Sequence, residues 1–228
     1  MLHYGKGNTC TKYSMYGQPI AEVSSEKDLG VMLSRDLKVS IQCREAYSKA
    51  SQSLGLIHRV IKSKSLSVLI PLYKSMVRPH LEYCSVVWSP HFVKDRELLE
   101  RVQHRFTRMF AGLKSLPYEE RLRRLGLWSL EERRNRADLL ELYKMIKGFS
   151  AVSWSQFFTR SDASITRRHN WKLQKKYNQS DIRLHFFSQR CVNRWNSLSQ
   201  DAVEAPRVNS FKHHLDKIRH QQMGFFMD

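Results

Sequence analysis

From Val39 to Ile61 the apolar residues fall three or four positions apart, at Cys43, Ala46 or Tyr47, Ala50, Leu54, Ile57 and Ile61, a period that fits a helix with one buried face. Such a stripe is not buried by its own helix, so neighbouring elements must cover it. The spacing predicts a second helix from Ser65 as N-cap through Val68, Leu69, Leu72, Tyr73 and Met76. It should yield before Pro79, whose ring removes an amide donor, and Pro71 either kinks it or delays its start. A third helix, over about Asp95 to Phe110, sets Leu99, Val102, Phe106 and Met109 on one side and Arg101, Arg105 and Arg108 on another.

Helix punctuation continues downstream. Pro117 opens a short helix, Glu119 and Glu120 complement its positive N-terminus, and Gly126 stops it. Ser129 with Glu132 reads as a capping box for the next helix, which should run to Gly148, where a boundary is expected. Residues 161–164 read as a loop, and a last helix near Val208 to His220 carries Phe211, Leu215 and Ile218. Strand signals are confined to Tyr13–Tyr16, Ile20–Val23 and Leu29–Leu33, with Gly17-Gln18-Pro19 as a turn, and to a C-terminal hairpin from Leu173 and Ile182–Phe187. The fold class expected is mainly α: a bundle-like helical array with a short N-terminal β-hairpin and a small C-terminal β element. Its expected parts are a hairpin over 1–34, a helical region over 35–148 and a basic region over 149–228.

Charge narrows the partner. The chain of 228 residues carries 39 Lys and Arg against 21 Asp and Glu, a formal net charge of +18. That excess favours polyanions, nucleic acid first, over the alternative of a merely solvated basic surface. Basic residues crowd between Arg160 and Arg194, including Arg167, Arg168, Lys172, Lys175, Lys176, Arg183 and Arg190, with only Asp162 and Asp181 opposing them. Trp171, Tyr177, Phe186, Phe187 and Trp195 are interleaved, as when cations hold a backbone and rings stack on bases. Phe187 and Trp195 are better read as core. The arginine stripe Arg101, Arg105 and Arg108 reads either as a solvated face or as phosphate contacts.

Several chemistries lack their residues. There is no adjacent Asp-Asp pair, and the doublets Glu119-Glu120 and Glu131-Glu132 fall in first helical turns, where dipole compensation explains them. No phosphate loop, HExxH motif or nucleophile elbow is present. The four cysteines, Cys10, Cys43, Cys84 and Cys191, are scattered, with no pair at zinc-ligand spacing, and read as free structural thiols. Histidines such as His213, His214 and His220 read as surface residues. No catalytic or metal-binding residue is expected, and no signal-peptide core or membrane span, so the nucleus or cytoplasm is the expected compartment.

Lys27-Asp28-Leu29-Gly30-Val31 follows a strand-like stretch and precedes a basic helical region. It resembles the LGV block of reverse transcriptases from non-LTR retrotransposons, the jockey-like LINE elements in particular. The likeness continues in order through Leu72-Tyr73-Lys74-Ser75, Val77-Arg78-Pro79, Leu81-Glu82-Tyr83, Trp88-Ser89-Pro90, Leu99-Glu100 and Val102-Gln103. Tyr118 to Leu122, Leu125-Gly126-Leu127, Ser129-Leu130-Glu131, Arg133-Arg134, Phe187-Ser188, Trp195-Asn196 and Phe211-Lys212 extend it. The resemblance implies a primer-grip-like hairpin at Lys27, Asp28, Leu29, Gly30 and Val31, followed by a thumb. The fingers, the palm, its paired aspartates and their two magnesium ions would precede Met1, as in a truncated element copy or a reading frame joined after its start.

Function is then expected to be nucleic-acid binding without catalysis. RNA, an RNA–DNA hybrid or DNA would be held through phosphates by Arg101, Arg105, Arg108, Arg133, Arg134, Arg167, Arg168, Lys172, Lys175, Lys176, Arg190 and Arg194, with Gly30 admitting a close backbone approach. The missing N-terminal half is a further candidate partner. The rival readings are a helical protein-interaction module and a pseudogene product without function.

Overall fold

The computed structural model describes residues 1–5, 7–161 and 169–227. The fold is mainly α, with two short antiparallel strand pairs near the N-terminus. In chain order the strands are β1 (Ser14–Met15), β2 (Gln18–Pro19), β3 (Ser25–Asp28) and β4 (Val31–Ser34). Then come α1 (Ser40–Val60), α2 (Leu66–Leu72), α3 (Arg78–Glu82), α4 (Ser85–Trp88), α5 (Val93–Thr107), α6 (Tyr118–Leu125) and α7 (Leu130–Ile146). The series closes with α8 (Asp181–Leu184), α9 (Phe187–Arg190), α10 (Val192–Asn196), α11 (Gln200–Val203) and α12 (Val208–Gln221). The chain divides into two compact units, one of Met1–Cys84 with Trp88–Leu127, the other of Ser85–Val87 with Trp128–Asp228.

In the first unit α1 packs on α5. Cys43, Ala46, Ala50, Leu54 and Ile57 of α1 are buried, as are Leu99, Val102 and Phe106 of α5. Full burial of an aliphatic or aromatic side chain stabilises by roughly 1.5–3 kcal/mol, so this apolar stripe is the main cause of the arrangement. Polar ties fix the register: Ser40 Oγ donates to Asp95 Oδ2 at 2.5 Å, and the Met32 amide donates to Gln42 Oε1 at 2.8 Å.

The helical run after Ser65 continues past Pro79. Between α2 and α3 the turn widens into a π-helical segment, Tyr73–Val77, with the Arg78 amide bonded to the Tyr73 carbonyl. The wide turn places Pro79 in the first turn of α3, where a missing amide donor costs little. Ser75 Oγ donates to the Pro71 carbonyl at 2.9 Å.

Both strand pairs are two-residue hairpins. The turns fall at Tyr16–Gly17 and Leu29–Gly30, all four with positive φ, the geometry that matches strand twist in type I′ turns. Gln18-Pro19 is therefore strand, and the expected strand Ile20–Val23 is reduced to one bridge at Val23. β4 packs along α1 with Val31 buried, which places the expected separate 1–34 part within the first unit.

The main stretch of the second unit begins at Trp128, before Gly148, because α7 supplies its core. Leu139, Leu142 and Tyr143 of α7 join Phe187, Val192, Trp195, Phe211 and Leu215. Tyr143 stacks on Phe211 with centroids 4.2 Å apart, and its hydroxyl donates to the Ala205 carbonyl at 2.5 Å. The Ser129–Glu132 capping box forms as expected, with Gly148 in the left-handed region past the helix end. The expected C-terminal hairpin does not form among the described residues: Ile182–Phe187 falls in α8 and the start of α9, and Leu173 makes an isolated bridge with Arg160. Burial of Phe187 at the start of α9, on a helical period, overrode its strand propensity.

Candidate nucleic-acid interface

On α5 the core side is Leu99, Val102 and Phe106, so the opposite side faces solvent. Lys94, Glu97, Arg101, Arg105 and Arg108 are exposed at helical spacing along it. Glu97 is the one acid in that row, four residues before Arg101. Among the described residues no carboxylate lies within ion-pair distance of Arg101, Arg105 or Arg108. Cations in the last turn also complement the helix dipole, which accounts for part of the preference for Arg105 there.

Behind the stripe, α5 and α6 share a buried polar network. Gln103 accepts from Tyr73 Oη at 2.6 Å and donates to Tyr118 Oη at 3.0 Å, while Tyr118 Oη donates to Glu100. Burial and the neighbouring Glu100 push the Tyr118 phenol far up, so it remains a donor. Arg121, 2 % exposed, donates to Thr107 Oγ1 at 2.7 Å and to the His104 carbonyl at 3.1 Å, capping the α5 C-terminus. Burial, then Arg121 and Arg108, hold His104 below the usual imidazole range. Gln103, on the Val102-Gln103 piece of the motif resemblance, is thus a core residue.

The hairpin residues expected to grip a primer are mostly exposed: Lys27, Asp28, Leu29 and Gly30 face solvent and Val31 is the buried anchor. The Gly30 backbone is exposed, but the space a side chain there would take is not empty. A Cβ there would lie 3.1 Å from Tyr83 Cε1, so the close approach that requires glycine is made by Tyr83.

Three cations of the expected set are committed to the second unit's own structure. Arg190 makes a bidentate pair with buried Asp138, at 2.7 and 2.8 Å, and donates to the Val86 carbonyl. Arg194 donates to the carbonyls of Phe225 and Met227, tying down the C-terminal segment. Arg134 is 2 % exposed. Buried or engaged within the unit, these three have structural partners and are less accessible to a phosphate than the exposed cations. Arg133 is half-buried and has partners of its own.

Among the described residues of the basic block, Arg160 and Arg183 are exposed, and so is a short extended segment. Asn196 clamps Leu173 in both directions, accepting from its amide at 2.9 Å and donating to its carbonyl at 2.8 Å, while Gln189 accepts from the Lys176 amide. The backbone is thereby fixed while Lys175, Lys176 and the Tyr177 ring, 89 % exposed, project outward; Lys172 is half-buried. Arg160 lies over the Trp171 ring at 4.8 Å. Arg167, Arg168 and all but the first residue of the loop expected over 161–164 lie outside the described residues.

Cys43 and Cys191 are buried, and burial pushes the Cys191 thiol up. Cys84, which reads as a structural thiol, is exposed with φ +51° at the break after α3. In the first unit His3, Cys10 and Glu22, spread over the first 22 residues, bring their ligand atoms within 4.8 Å of one another. Among the described residues no helix is long and apolar enough to cross a membrane. No family model, curated protein or solved structure matches the chain.

Proposed function

We propose that this chain binds nucleic acid through sequence-independent phosphate contacts, as the non-catalytic C-terminal portion of a non-LTR reverse transcriptase. The observation that carries the binding is the exposed row Arg101, Arg105 and Arg108, free of ion pairs with described carboxylates on a chain of net charge +18. Three guanidiniums along one helix face suit a row of phosphates, and Lys175 and Lys176 add a second set of accessible cations. The reverse-transcriptase reading is supported by the ordered motif resemblance and by a tight hairpin at Leu29–Gly30 leading into a basic helical array.

Fluorescence anisotropy against duplex DNA, an RNA–DNA hybrid and single strands, at two salt concentrations, tests the binding. If three phosphates are engaged, duplex affinity should fall roughly fortyfold over a fourfold rise in salt. Absence of affinity at low salt sinks the reading and leaves a protein-interaction module, which the exposed Tyr13, Met15 and Tyr16 of the first hairpin favour.

A further inference from the structure

The cluster of His3, Cys10 and Glu22 is built by backbone pairing rather than by chance proximity of flexible side chains. Leu2 bridges to Val23, the Val23 amide donates to the Met1 carbonyl at 2.9 Å, and the Gly5 amide donates to the Arg35 carbonyl at 3.0 Å. The Arg35 amide in turn donates to Ser24 at 2.9 Å. These bonds hold the segment bearing His3 beside the one bearing Glu22. Cys10 sits in the left-handed region with φ +49°, its amide bonded to Asn8 Oδ1 at 2.9 Å.

Two observations point from this cluster to a ligand. His3 is 9 % exposed, yet among the described residues none hydrogen-bonds its ring. The groups gathered with its ring nitrogen are a thiol and a carboxylate, a nitrogen, sulfur and oxygen donor set of the kind a borderline metal ion takes. Arg35 donates from Nη2 to Cys10 Sγ at 3.1 Å and pairs through Nη1 with Glu22 at 3.3 Å. Such donors beside a sulfur and a carboxylate are what a metal site's outer partners look like.

We propose that His3, Cys10 and Glu22 bind Zn2+, leaving a fourth position for water or an external ligand. Sulfur, nitrogen and oxygen donors together suit a borderline ion; magnesium and calcium take oxygen donors almost alone. A thiolate, a carboxylate and a neutral imidazole balance the charge of the ion. On binding, the Zn–S bond forms as the Cys10 thiol releases its proton to solvent. Tetrahedral zinc sets its ligand atoms about 3.3–3.6 Å apart. Closure from the 4.8 Å limit is a shift of about an ångström, available to the exposed Glu22 side chain.

The test is a Co2+ titration of the full chain, followed by Zn2+ displacement and metal analysis after gel filtration. One equivalent should raise a thiolate-to-cobalt charge-transfer band that Zn2+ abolishes. Cys10→Ser and His3→Gln should each remove the band with helical circular dichroism unchanged, since neither residue is in a helix. Arg35→Ala should weaken Zn2+ binding by about tenfold to a hundredfold. Cys84→Ser, which alters the other accessible thiol, should leave the band intact. No band near one equivalent, or a band that survives His3→Gln or Cys10→Ser, overturns the assignment.

Discussion

The Tyr83 hydroxyl donates to the Leu29 carbonyl across 3.1 Å, tying the tip of the β3–β4 hairpin to the residue that ends α3. The same ring stands 3.1 Å from where a Cβ on Gly30 would be. A segment that reads as a free tip for a nucleic-acid end is therefore braced from behind. The brace explains both the glycine and the retention of Leu29 at φ +44°.

Gly30→Ala should destabilise the first unit by about 1–2 kcal/mol, because an L-residue is held in the left-handed region and its methyl meets the Tyr83 ring. Tyr83→Phe, which removes one hydrogen bond on an exposed side chain, should cost less, about 0.5–1 kcal/mol. Urea midpoints of the two variants check the order, and equal or reversed losses contradict the brace.

Removing one member of the Arg190–Asp138 pair leaves a buried charge alone. Asp138→Ala or Arg190→Ala should cost about 3–5 kcal/mol, whereas the double change Asp138→Leu with Arg190→Met should restore most of it. A denaturant melt followed by tryptophan fluorescence, with Trp195 in the same core, reads the difference. A double variant as unstable as either single one would show that the pair does more than neutralise its own charges.

His104 supplies a pH dependence. Its ring stacks on Tyr118, and Nδ1 lies 3.3 Å from Arg121 Nη2, so a proton on the ring would oppose two arginines. Because its folded value is depressed, its contribution to stability is present above the unfolded value of about 6.5 and is lost as pH falls through the lower folded value. Stability of the wild type should therefore decline below about pH 6.5, and His104→Gln should flatten that part of the curve. An unchanged slope in the variant contradicts the assignment.

Local signals were readable from the chain: the Ser129–Glu132 capping box, Gly126 as a left-handed stop, and the α1 stripe from Cys43 to Ile57 all appear as expected. Each is decided within one or two helical turns. What escaped depends on distant partners. Arg190 reads as a free cation until Asp138, 52 residues away, is placed beside it. The π-helical turn before Pro79 is a compromise between two prolines and the burial of Tyr73 and Val77, invisible to a 3.6-residue period. His3, Cys10 and Glu22 have no motif spacing because backbone pairing brings them together.

The central claim, phosphate binding by the α5 arginine row, is tested most directly by comparing salt slopes. Duplex affinity measured across a salt series should give a steep negative log–log slope for the wild type, and Arg101→Gln/Arg105→Gln/Arg108→Gln should make it shallower by about two to three. These side chains are exposed and outside the core, so the variant should lose no more than about 1 kcal/mol of stability, the size of the dipole contribution of Arg105. A wild-type slope preserved in the triple variant would contradict the account.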